Sequence, residues 1–180
     1  SHLASANEYE KFRTLISKSF RLIIYLSVPV ACLLTGLREP IIRFLFQRGQ
    51  FTADSTFGTS QAFMIYAIGL TTFSLETLFV YSFFAVKDTK TPVLYGVLCV
   101  LLDILLAIVL LRPLGYLGIA GAFVISKTIK ILALGTVLSK RHTGIFDLQI
   151  IPFSIKLAAT TCMVWISLKI LLNINNSDSS

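Results

Sequence analysis

The stretch that most constrains the fold is QAFMIYAIGLTTFSLETLFVYSFFAVKDTKTP, residues 61–92. About 25 of its residues are almost wholly apolar, which matches the hydrocarbon thickness of a bilayer and exceeds what a soluble core helix needs. One acid, Glu76, stands near the middle, and a charged loop closed by Pro92 follows. A carboxylate at that depth is costly and demands a partner. The rest of the chain repeats the pattern of long apolar runs with isolated buried charges.

Composition agrees with a membrane protein. Of the 180 residues, 55% are hydrophobic and only 14% charged, against about 25% charged in soluble domains. A net charge of +7 raises the possibility of nucleic acid, but the basic residues lie mostly in loops between apolar runs. The positive-inside rule accounts for that distribution, and no nucleic-acid partner is expected. The N-terminal SHLASANEYEKFR has no short apolar region followed by a cleavage site, so targeting is expected to rest on the spans. Cys32, Cys99 and Cys162 each sit inside an apolar run, unspaced for a metal, and read as small buried hydrophobes.

Taken in order, the sequence predicts an all-α polytopic bundle of about five spans. Residues 1–21 form a basic lead-in, with Phe12, Leu15, Ile16 and Phe20 on one side of an interfacial helix. The transmembrane region, 22–172, holds spans near 22–37, 61–86, 93–111, 117–138 and 150–172, and a polar tail at 173–180 reads as disordered. Pro29 falls inside the first span, where it removes a backbone hydrogen bond. Residues 38–60 are too charged to span and read as an interfacial helix, a turn, and an N-cap at Thr52–Ser55. Small residues at the start of the fourth span (Gly118, Ala120, Gly121, Ala122) permit close backbone approach.

Four ionisable residues lie well inside spans: Glu76, Asp103, Lys127 and Lys130. Each is within about one helical turn of the midplane, and the two lysines share a helix face. One reading makes them part of a substrate or ion path. The other makes them interhelical ion pairs, with Lys130 snorkelling toward the interface. Asp103 is the most conspicuous, since it is mid-span and too short to snorkel. Arg43 and Arg48 are candidates for anionic headgroups, because guanidinium pairs with phosphate bidentately; the alternative is that they are solvated arginines on an interfacial helix. No nucleophile–base arrangement, phosphate loop or ligand cluster is present, so no catalytic residue, metal site or cofactor is expected.

Three segments, in order, resemble the MurJ/MviN lipid II flippase family: LSVPVACLLTGLREPIIRFLFQRGQF, YAIGLTTFSLETLFVYSFFAVKDTKTP and RPLGYLGIAGAFVISK. The resemblance implies a fragment of a transporter with about 14 spans, built of two lobes that alternate access. The chain would match the ninth to thirteenth spans and lack the N-terminal lobe, and would not transport alone. The partners implied are the undecaprenyl-linked precursor lipid II, membrane lipids and the missing lobe; the location implied is the bacterial inner membrane. The broader superfamily also contains drug and oligosaccharide-lipid exporters, which stay open as an alternative, as does a non-transporting scaffold. Some family members have a cation site on the span matching 93–111. Asp103 matches its first position, but Ala107 occupies the second and Phe123 stands near the expected threonine. Asp103 is then the remnant of that site or the partner of Lys127.

Five spans place the termini on opposite sides. Lys11, Arg13, Lys18, Arg21, Lys87, Lys90, Lys140 and Arg141 share the N-terminal side, while Arg38, Arg43, Arg48 and Arg112 share the other. The N-terminal side is therefore expected to be cytoplasmic and the tail external. In a background with the three cysteines replaced by alanine, a membrane-impermeant maleimide should label Arg112→Cys in intact spheroplasts. Lys90→Cys should react only after permeabilisation, and the reverse pattern would invert the topology.

Overall fold

The computed structural model describes residues 2–48 and 51–141, and all the regular structure in them is helical. The fifth span expected at 150–172, most of the loop before it and the tail lie outside the described residues. The helices are α1 (His2–Gly36), α2 (Arg38–Phe46), α3 (Ala53–Ala85), α4 (Lys90–Leu114) and α5 (Tyr116–Arg141). Four contain stretches long and apolar enough to cross a membrane: Glu10–Gly36, Ala53–Ala85, Lys90–Leu114 and Tyr116–Arg141.

Two helices run well past the apolar windows. The lead-in and first span form one continuous helix, α1, with Pro29 inside it. Helix α3 starts at Ala53, eight residues before the apolar run, because Thr52 is extended and its side chain accepts from the Ser55 amide. At 1.5 Å per residue α3 is about 50 Å long and exceeds the hydrocarbon core.

Helix α3 is the spine, packed along α1 on one flank and α5 on the other. Helix α4 lies on α5 and scarcely touches α3, while α2 closes over one end of α3. At the opposite end Ile16, Phe79, Phe83, Ile131, Leu134 and Leu138 from α1, α3 and α5 form a buried cluster. Phe20 stacks on Phe79 with centroids 6.2 Å apart. Midway along, Ser27 on α1 donates to Thr71 on α3 at 3.0 Å. Other hydroxyls bond back to their own helix, such as Ser82 to the Leu78 carbonyl at 2.7 Å and Thr128 to the Val124 carbonyl at 2.7 Å. An apolar surround leaves such groups no water to bond, so internal partners are required. The outward surface is correspondingly greasy: Val93, Val97, Leu101, Ile104, Leu105 and Ile108 of α4 are all exposed.

The turns are built locally. Helix α3 ends in a Schellman arrangement, with the Asp88 amide donating to Phe83 and the Lys87 amide to Phe84, both at 2.9 Å. Lys87 takes the left-handed conformation, φ 61°, that glycine usually fills there. Asp88 then caps α4, accepting from the Thr91 amide at 3.1 Å and the Thr91 hydroxyl at 2.6 Å. Arg141, at the end of α5, donates to the same carboxylate, so one side chain ties together the ends of α3, α4 and α5. The Thr91 hydroxyl, then its amide, then Arg141 hold the Asp88 carboxyl at about 2 instead of its ordinary 3.8. The cap is thus complete above pH 3.8 and is lost only as pH falls through about 2.

Between α4 and α5, Gly115 turns the chain with φ 57°. Gly118 lies so close to α4 that a Cβ there would stand 2.3 Å from the Leu110 carbonyl oxygen. Gly121 has more room, with nothing nearer than Leu110 Cδ2 at 3.8 Å. Gly118→Ala should therefore cost about 1–3 kcal/mol as an overpacked contact, read as a lower thermal midpoint in detergent. Gly121→Ala should leave the midpoint unchanged.

Candidate polar site between α3 and α5

The spacing of Lys127 and Lys130 places both ammonium groups on the α3-facing side of α5. They converge on a single oxygen of Glu76. Lys130 Nζ lies 2.5 Å and Lys127 Nζ 3.0 Å from Glu76 Oε1. The side chains are largely enclosed: Lys130 is 9% exposed, Glu76 16% and Lys127 24%. Lys127 Nζ also sits 5.5 Å from the centroid of Phe123. That ring is held by Phe73 at 5.4 Å and Tyr66 at 6.0 Å. Lys130 Nζ also lies near α4, where Gly96 leaves room: a Cβ there would be 3.8 Å from Nζ.

Three of the four buried ionisable residues expected from sequence thus meet in one cluster. The fourth does not join it. Asp103 is half-buried on α4, and among the described residues it has no hydrogen-bond or ion-pair partner. Its expected pairing with Lys127 is not made, because Lys127 faces α3 while α4 packs on another side of α5. The antiparallel register, set by Gly118 against Leu110 and Lys130 against Gly96, puts Asp103 level with residue 124, about one turn from Lys127.

Arg43 and Arg48, the headgroup candidates, are both exposed, on α2 and just after it. Phe44, Leu45 and Phe46 beside them are exposed as well, the composition of a helix lying in an interface. The sequence reading passed over Arg38. Its Nη1 points at the Met64 sulfur at 2.9 Å, and its buried Nε has no acceptor. A lone arginine at a helix start carries no signal that it will turn inward. Cys99 is buried and Cys32 half-buried, both as free thiols; Cys162 lies outside the described residues. No cluster of three or more metal-ligating side chains occurs among the described residues.

Chemically, the site is a fixed positive pole in an apolar setting. One carboxylate opposes two ammonium groups. Glu76→Gln removes the shared negative charge and leaves two enclosed cations. It should destabilise the protein by about 2–3 kcal/mol, below the range for fully buried pairs because the cluster is partly open. Adding Lys130→Gln should recover part of that loss in a thermal-midpoint double-mutant cycle.

Comparisons with known proteins bear on what this bundle belongs to. A family model described as Lipid II flippase MurJ matches residues 1–178. A probable lipid II flippase MurJ of Rhizobium meliloti (strain 1021) is 35% identical over 129 residues, covering 71% of this chain and 24% of that protein. The corresponding protein of Bdellovibrio bacteriovorus is 32% identical over 145 residues, covering 81% of this chain and 28% of that protein. A solved structure, Lipid II flippase MurJ in an inward closed conformation, superposes with a TM-score of 0.75 at 26% identity, over 93% of this chain and 34% of the other. The chain therefore spans between a quarter and a third of the length of these relatives.

Proposed function

The chain belongs to the lipid II flippase MurJ family, and on that premise we propose that it forms part of a transporter for the lipid-linked peptidoglycan precursor. The cargo is lipid II, an undecaprenyl-linked disaccharide-peptide carried from the cytoplasmic to the outer leaflet of the bacterial inner membrane. The observation that carries this reading is the family match over residues 1–178. It coincides with four membrane-length helices among the described residues and with a likeness to a flippase structure over 93% of the chain.

The mechanism proposed is alternating access. One helical lobe rocks against another around a polar path, while the prenyl tail stays in lipid. This chain supplies a large part of one lobe, and the remaining spans supply the other. Several features of the bundle suit that role. Helices α1, α3 and α5 are joined by a dense apolar cluster at one end, and Asp88 with Arg141 links the α3–α4 turn to the end of α5. Such a unit moves as a body. Glu76, Lys127, Lys130 and Asp103 are the candidates for a substrate or ion path, and Arg43 and Arg48, exposed beside Phe44, Leu45 and Phe46, are the headgroup candidates. In this reading the N-terminal end faces the cytoplasm.

Complementation of a flippase-depleted cell tests the proposal in the full-length protein. Asp103→Asn and Lys127→Met should each reduce growth and shape rescue severalfold at normal protein level. Full rescue by both would favour a non-transporting scaffold role for this lobe.

A further inference from the structure

The charge count at the α3–α5 cluster does not close. Glu76 contributes one negative charge; Lys127 and Lys130 contribute two positive ones. The two lysines are not equivalent. Lys130 is the more enclosed, at 9% exposure, and the closer, at 2.5 Å. It is the neutralising partner of the carboxylate. Lys127 is held farther away, at 3.0 Å, is more open at 24%, and rests against the Phe123 ring. It is the surplus cation.

Among the described residues no second carboxylate reaches it. Glu76 and Asp103 are the only acids inside the predicted spans. Asp103 makes no contact with the cluster. The run at 150–172 contains no Asp or Glu at all. A surplus ammonium in an apolar setting favours an anion beside it, because an unpaired charge there is costly. An ammonium has three N–H donors, and Glu76 takes one from Lys127. Beside Glu76, α3 carries an exposed face with Tyr66, Thr77 and Tyr81.

We propose that Lys127 is an anion-binding residue, oriented by Glu76 and Phe123, that takes a phosphate or diphosphate group from the open face of α3. The assignment of that anion to a lipid-linked diphosphate rests on the transport reading above; the site itself rests on the charge imbalance and geometry. Lys130 in this account is a structural partner, and its loss acts through Glu76.

The test uses the purified full chain in phosphatidylcholine nanodiscs, titrated calorimetrically with farnesyl diphosphate and, separately, with sodium pyrophosphate. Wild type should bind at least one of these anions. Lys127→Met and Lys127→Gln should weaken it at least about tenfold, the loss of a charge-assisted contact, with helix content by circular dichroism unchanged. Lys127→Arg should keep most of the affinity. Lys130→Met should instead lower the thermal midpoint. Tighter binding of farnesyl diphosphate assigns the site to a lipid-linked anion, and equal binding assigns it to a free one; both support the site. Diphosphate binding through Lys127, combined with a full-length protein that fails to complement, would uphold the site and count against the transport reading. Wild-type affinity in both Lys127→Met and Lys127→Gln would overturn the inference. So would an absence of binding of either anion to wild type, which would leave an acidic side chain of another polypeptide as the counter-charge.

Discussion

Most polar groups inside this bundle find their partners in the protein, because an apolar surround supplies none. That constraint organises the molecule. It explains the long uninterrupted helices, whose backbone bonds close within each element. It explains why serine and threonine hydroxyls return to the preceding turn or, as with Ser27 and Thr71, cross to a neighbour. It also explains why Glu76, the one carboxylate in the apolar part of the central helix, is met by ammonium groups from α5.

The same constraint gives the Glu76 cluster its dual character. The carboxylate and two lysines link α3 and α5 at mid-depth, between the aromatic contacts of Phe123 on one side and the Phe79–Leu134 cluster on the other. A neutral pair would do that work alone. The extra lysine adds a positive pole that packing does not require, and it is the more open of the two. Structure and transport chemistry thus meet in the same three side chains. The Asp88 cap, lying outside the membrane-length core, is a different device. Its three contacts to two residues bind loop to helix ends without any surplus charge.

Much of this was legible in the residues. The apolar windows located the spanning helices, since their length matches a bilayer, and Thr52 marked a helix start through its capping hydroxyl. Glu76 and Lys127 drew notice because charge is scarce in such windows. Helix extents were less legible. The segments flanking the windows, residues 3–21 and 53–60, are polar, yet each continues the helix beside it, because helical hydrogen bonding does not stop where hydropathy falls. Gly118 and Gly121 looked alike in sequence, but Gly118 faces a backbone carbonyl and Gly121 faces space.

The sequence by itself determined that the chain is an all-α membrane bundle and that its few buried charges sit at a common depth. Those conclusions need only hydropathy and helical rise, which are properties of each segment alone. Which charges pair was decided by tertiary structure. Depth allowed Asp103, Glu76, Lys127 and Lys130 to combine in several ways, and only the packing of α5 against both α3 and α4 turned the lysines toward Glu76. The stretch at 61–92 thus announced a buried carboxylate, while the fold chose two partners for it and left Asp103 with none among the described residues.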